Sequence, residues 1–121
     1  MDKVKTHRDL NVWREAMDLA KSIYSLTAEF PKEEIYGLVS QMKRAAVSVP
    51  SNIAEGAARN SNKEFIRFLY NSLGSLAELE TQLLLSRELG FVQSRDIHVD
   101  IEGIRKMLFG LIKHLRNSSK K

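Results

Sequence analysis

Residues 35–56 read IYGLVSQMKRAAVSVPSNIAEG, and the spacing of their apolar side chains decides the fold class. Ile35, Leu38, Met42, Ala45, Val49, Ile53 and Gly56 recur at intervals of three and four. That period places them on one face of an α-helix. Pro50 falls inside the stripe, yet the phase is the same on both sides of it. A proline in a helix interior removes one backbone hydrogen bond and crowds the carbonyl one turn back, at a cost of about 3 kcal/mol. The pattern therefore predicts one helix over 32–59, kinked near Pro50.

The same period extends in both directions. Upstream, Leu10, Trp13, Met17, Ala20 and Tyr24 predict a helix over 9–29. Phe30-Pro31 closes it, because a residue preceding proline disfavours the α conformation. Downstream, Ser61-Asn62-Lys63-Glu64 has the form of a capping box and opens a helix over 62–89. Its stripe is Phe65, Leu69, Leu73, Leu76 and Leu83, with Gly90 as the stop. Ser94 is the candidate N-cap of a fourth helix over 94–117, with Ile97, Ile101, Ile104, Leu108, Leu111 and Leu115 in phase. No segment alternates as a strand would. The expected fold is all-α, an up-down-up-down four-helix bundle forming one domain over 1–121.

Composition agrees and narrows the function classes. A length of 121 residues suits a single domain with one core. The absence of cysteine excludes disulfides, thiol catalysis and Cys-ligated zinc. The charged N-terminus is unlike a signal peptide. The longest aliphatic run, Leu83-Leu84-Leu85, is far shorter than the roughly 20 residues a bilayer span needs. A cytoplasmic protein without membrane partners is expected. The net charge of +4 is concentrated in the last quarter, where Arg95, Arg105, Lys106, Lys113, Arg116, Lys120 and Lys121 face only Asp96, Asp100 and Glu102.

The helices carry more apolar surface than one bundle buries. Taking Trp13 as the centre of the first helix's core stripe, Val12, Leu19, Ile23 and Leu26 form a second stripe around its circumference. The wider apolar arc exceeds what one core contact needs. Val47, Ala54 and Ala58 on the second helix, and Ile66, Tyr70, Leu84 and Leu85 on the third, add to it. A homo-oligomer is expected, with Val12, Leu19, Ile23 and Leu26 at the subunit interface.

No catalytic or metal-binding motif emerges. His7, His98 and His114 are scattered, and none sits in a Glu-x-x-His or His-Glu-x-x-His arrangement. Phosphate-loop, nucleophile-elbow and dinucleotide-binding patterns are missing. The reading is a non-enzyme with no cofactor and no metal. Glu80 lies near the apolar stripe of the third helix and needs a cationic partner there, for which Arg87 and Arg44 are candidates.

Two polar features remain. On the second helix Gln41, Arg44, Ser48, Asn52, Glu55 and Arg59 form a band beside the apolar face, with Ser51 at its edge. Glu55 and Arg59 are spaced to pair. Such a band suits a ligand groove or a polar contact between subunits, and the contact is the expected use. On the fourth helix Arg95, Arg105, Lys106, Lys113 and Arg116 lie away from the Ile/Leu stripe, with Phe109 among them. Cationic side chains neutralise phosphates and an exposed aromatic stacks on unpaired bases, so these six are the candidate nucleic-acid contacts, with RNA favoured over DNA.

The stretch from Pro31 to Gly56 resembles the signature of the 23S rRNA intervening sequence protein family, also called the S23 or four-helix bundle protein family. Asp9-Leu-Asn-Val-Trp-Arg-Glu-Ala16 and Gly74-Ser-Leu-Ala-Glu-Leu-Glu-Thr-Gln-Leu83 are similar to it too. The resemblance implies a four-helix bundle assembled as a homopentamer, some members being encoded within bacterial 23S rRNA genes. It also implies kinship with the accessory subunit of diversity-generating retroelements, a basic pentamer that binds a reverse transcriptase and nucleic acid. The positions matching the family pattern are Gln41, Arg44, Ser51, Asn52, Glu55, Gly56, Gly74, Ser75 and Glu78. Together with Arg59 they mark a candidate partner band, and a protein-docking accessory subunit is the alternative to a nucleic-acid-binding oligomer.

Overall fold

The computed structural model describes residues 6–7, 10–92 and 100–118. Among these, all regular structure is helical: α1 (Asn11–Thr27), a 3-10 turn (Lys32–Glu34), α2 (Leu38–Ala57), α3 (Asn62–Glu88) and α4 (Ile101–Ser118). The most extensive packing is between α2 and α3; α1 lies against α2 and α4, and α4 against α3. The four helices thus enclose one core, in which Ile23, Met42, Ile53, Leu69, Leu76, Leu79, Ile104 and Leu108 are completely buried.

Local signals place most of the boundaries. Ser61 Oγ accepts from the Glu64 amide at 3.2 Å, capping α3 as its sequence predicts. The Glu64 carboxylate turns outward to Arg67 at 2.9 Å instead of reaching back. Gly90, at φ +81°, stops the chain after α3 in the left-handed conformation that glycine adopts without penalty.

Two helix starts differ from expectation. The second helix begins at Leu38, six residues late, because the chain leaves Pro31 as a 3-10 turn and Gly37 serves as N-cap. The Glu34 carboxylate then accepts from the Leu38 amide at 3.3 Å, satisfying a donor that lacks an intrahelical partner. Ile35, in phase with the stripe, is consequently 49% exposed and Tyr36 stands 96% exposed. The described part of the fourth helix begins at Ile101, where Asp100 Oδ1 caps the Gly103 amide at 2.8 Å. Ser94 and Ile97 lie outside the described residues.

The helix α2 runs unbroken through Pro50. Beside it, Ser72 Oγ of α3 donates to the Val49 carbonyl at 2.8 Å in a buried position. At Gly56 the two helices leave no room for a side chain: a Cβ there would stand 2.8 Å from both Phe65 Cδ1 and Phe68 Cβ.

The core face of α1 is rotated relative to the reading from sequence: of the expected stripe Leu10 and Ala20 are buried and Trp13 packs against the core, but the second stripe is inside as well. Val12, Leu19 and Ile23 are buried in the chain's own core and Leu26 packs against it, so they do not form a subunit interface. Met17 and Tyr24, expected inside, are 36% and 48% exposed. The aliphatic stripe contains Ala16, fully buried, whose small size lets α1 approach its neighbours. Tyr24 and Trp13 carry polar tips that favour a half-wet site.

Candidate nucleic-acid interface

Helix α4 presents its Ile101, Ile104, Leu108 and Ile112 stripe to the core, which turns Lys106 and Lys113 outward. Both are exposed and neither has an ion pair among the described residues. Phe109 lies between them and is 49% exposed. Arg116 is exposed at the C-terminal end, where its Nη2 makes a long hydrogen bond of 3.4 Å to the Tyr70 hydroxyl of α3. Arg95 lies outside the described residues.

Arg105 has a different task. Its Nη2 donates to Glu80 Oε1 on α3 at 2.6 Å, and its Nη1 to Glu102 on its own helix. Partial loss of water works against its charge, but the two carboxylate hydrogen bonds outweigh that and hold its pKa above the ordinary arginine value. It is therefore a helix-helix tie, and it leaves the candidate contact set. Glu80 finds its partner on α4, not in Arg87 or Arg44; its side chain is 43% exposed, so it is a border acid and not a core one.

The partner band of α2 is divided by the fold. Ser48 turns to α3, its hydroxyl 2.8 Å from that of Ser75, and Asn52 Nδ2 donates within α2 to Ser48 Oγ and its carbonyl at 2.9 Å. Glu55 and Arg59 pair at 3.8 Å on the surface, and Arg59 lies over the Phe68 ring. Gln41, Arg44 and Ser51 are exposed. Gly74 is exposed with open space around it, and exposed Glu78 accepts from Gln82 at 3.3 Å. Three family-pattern positions (Asn52, Gly56 and Ser75) thus act within the bundle.

A groove escaped the sequence reading. Trp13, Met17 and Tyr24 of α1 face Val47, Pro50 and Ala54 of α2 around an open apolar space of about 630 Å3. Its signal in the sequence is the excess apolar surface of α1, and the structure places that excess on the Trp13, Met17 and Tyr24 side. Among the described residues, no group of three or more His, Asp or Glu side chains could hold a metal ion. His7 stacks edgewise on Trp13 at 4.9 Å, His114 is exposed, and His98 lies outside the described residues. No helix among the described residues is long and apolar enough to cross a membrane.

This arrangement of four helices, with Ser75 bonded to Ser48 and Gly56 fitted against Phe65 and Phe68 between α2 and α3, coincides with a family match. The 23S rRNA-intervening sequence protein model matches residues 8–110. The chain belongs to that family. Comparison with curated proteins gives no match. The span shared with the 23S rRNA-intervening sequence proteins includes the partner band, Lys106 and Phe109, whereas Lys113 and Arg116 lie beyond it.

Proposed function

We propose that this 23S rRNA-intervening sequence protein is a non-enzymatic, homo-oligomeric RNA-binding protein, with a pentamer as its expected assembly. The observation that carries the reading is the outer face of α4, where Lys106 and Lys113 are exposed cations without an ion pair among the described residues and flank a half-exposed Phe109. Each lysine neutralises a phosphate and releases a counterion, while the Phe109 ring offers a stacking surface to an unpaired base. Repetition of this modest face around an oligomer multiplies its field and its number of phosphate contacts.

The test is titration of the purified protein with a structured RNA and a matched duplex DNA, from about 50 to about 300 mM salt. The variant Lys106→Ala/Lys113→Ala/Arg116→Ala runs in parallel. Binding that weakens steeply with salt and is lost in the variant supports the reading, and stronger binding to the RNA supports the preference. No binding at the lowest salt overturns it. Salt-tolerant capture of one protein would favour an accessory subunit docking through Gln41, Arg44 and Ser51.

A further inference from the structure

The halves of α3 and α4 that lie together carry no acid. Residues 65–77 of α3 and 106–118 of α4 contain Arg67, Lys106, Lys113 and Arg116 and not one Asp or Glu. Three contacts set the two helices side by side in antiparallel register. Asn62 Nδ2 donates to the Leu115 carbonyl at 3.2 Å, Arg116 Nη2 to the Tyr70 hydroxyl at 3.4 Å, and Arg105 Nη2 to Glu80 at 2.6 Å. The acids at the borders are engaged: Glu64 is held by Arg67, Glu80 and Glu102 by Arg105, and Glu78 accepts from Gln82. No carboxylate within the face repels a polyanion.

Two aromatic rings stand on this face, one from each helix. Phe109 and Arg116 are seven residues apart, which puts them on one side of α4 and roughly 10 Å apart along its axis. Tyr70 reaches Arg116 from α3. Its exposure is 44% and that of Phe109 is 49%. Along α4 the order is Lys106, Phe109, Lys113, then Arg116 with Tyr70 beside it: cation, ring, cation, and cation with ring. A single strand alternates in the same way between phosphate and base, and its unstacked bases can lie on aromatic side chains. In a duplex the base faces are stacked on one another, which leaves phosphates, sugars and base edges to contact.

We propose that this face binds an unpaired stretch of RNA, with one base stacked on Phe109, a second on Tyr70, and Lys106, Lys113 and Arg116 on the phosphates. This rests on the RNA-binding reading of α4, specifies its ligand as single-stranded and adds Tyr70 of α3 as a contact residue. The long bond to Tyr70 uses one donor of the Arg116 guanidinium and leaves others for a phosphate.

The test uses a short unstructured RNA carrying a fluorescent adenine analogue whose emission falls on stacking, either alone or annealed to its complement. The wild-type protein should bind the single strand more tightly than the duplex and quench the analogue. Tyr70→Leu and Phe109→Leu each remove a half-exposed ring and keep an apolar side chain. Each should weaken single-strand binding by roughly five- to hundredfold. Duplex binding and the slope of log affinity against log salt should not change, because no phosphate contact is lost. Tyr70→Phe keeps the ring, gives up the bond to Arg116 and should bind as the wild type does. No RNA binding at about 50 mM salt overturns the proposed function and this inference together. Binding that Lys106→Ala/Lys113→Ala/Arg116→Ala abolishes, yet that is equal for strand and duplex or indifferent to loss of the rings, overturns this inference alone. So does an equal loss in Tyr70→Phe and Tyr70→Leu, which would make Tyr70 a support for Arg116.

Discussion

Arg105 of α4 and Glu80 of α3 are joined at 2.6 Å, tying the last helix to its neighbour at the border of core and solvent. The side chains retain 25% and 43% of their exposure, so solvent screens the pair. Partly exposed ion pairs contribute about 0.2–1 kcal/mol. Arg105→Ala and Glu80→Ala should each cost roughly that, and the double variant little more, which a urea-denaturation double-mutant cycle would measure. A cost above about 3 kcal/mol for Glu80→Ala would mark it as a buried acid after all.

The same pairing separates Arg105 from its basic neighbours in function. Lys106→Ala and Lys113→Ala should each lower the slope of log affinity for RNA against log salt by about 1. Arg105→Ala should leave that slope unchanged. Equal effects of all three would return Arg105 to the contact set.

Gly56 and Gly110 sit in helices with opposite surroundings. A methyl group at Gly56 meets Phe65 and Phe68 at 2.8 Å, and Gly56→Ala should destabilise by about 1–3 kcal/mol. Nothing surrounds the Gly110 position within 4 Å, so Gly110→Ala should stabilise by about 0.5–1 kcal/mol through helix propensity. Thermal melts of the two variants moving in the same direction would contradict this contrast.

Ile23 tests which face of α1 is inside. It is completely buried, and Ile23→Ala should cost about 2–5 kcal/mol in denaturant unfolding. If the variant instead changes only native mass and leaves stability intact, the core assignment of α1 is wrong.

Glu64 gives a pH dependence of known sign. The Arg67 hydrogen bond, then the Arg67 charge, holds its carboxyl below the ordinary glutamate value. A carboxyl depressed in the folded state contributes its stability above the unfolded pKa, about 4.3, and loses it as pH falls through the folded value. The Glu64 carbon resonance should titrate below the usual carboxylate midpoint, and Arg67→Ala should bring that midpoint up. Identical midpoints in both proteins would show that the pair does not form in solution.

Much of the architecture was legible because it depends on local chemistry. The stripes of α3 and α4 were in phase with their buried residues, Ser61 capped as its side chain allows, and Gly90 turned where a left-handed residue was needed. The start of α2 was not legible, since Glu34 reaching the Leu38 amide is a contact that no hydrophobic period announces. Asp100 caps the described start of α4 through the Gly103 amide, a local contact that the hydrophobic period does not announce either.

Sequence by itself determined the all-α class, the four long helices found among the described residues, the family and the concentration of positive charge near the C-terminus. All four follow from periodicity, composition and order, which are written along the chain. Tertiary structure alone decided which apolar stripe of α1 is core, which cation Glu80 meets, and that Ser48 turns inward to Ser75. Two apolar stripes on one helix are equivalent to any periodicity argument. Only the neighbours packed against them break the tie, admitting the slimmer Val12, Ala16, Leu19 and Ile23 to the core and leaving Trp13, Met17 and Tyr24 to line a groove.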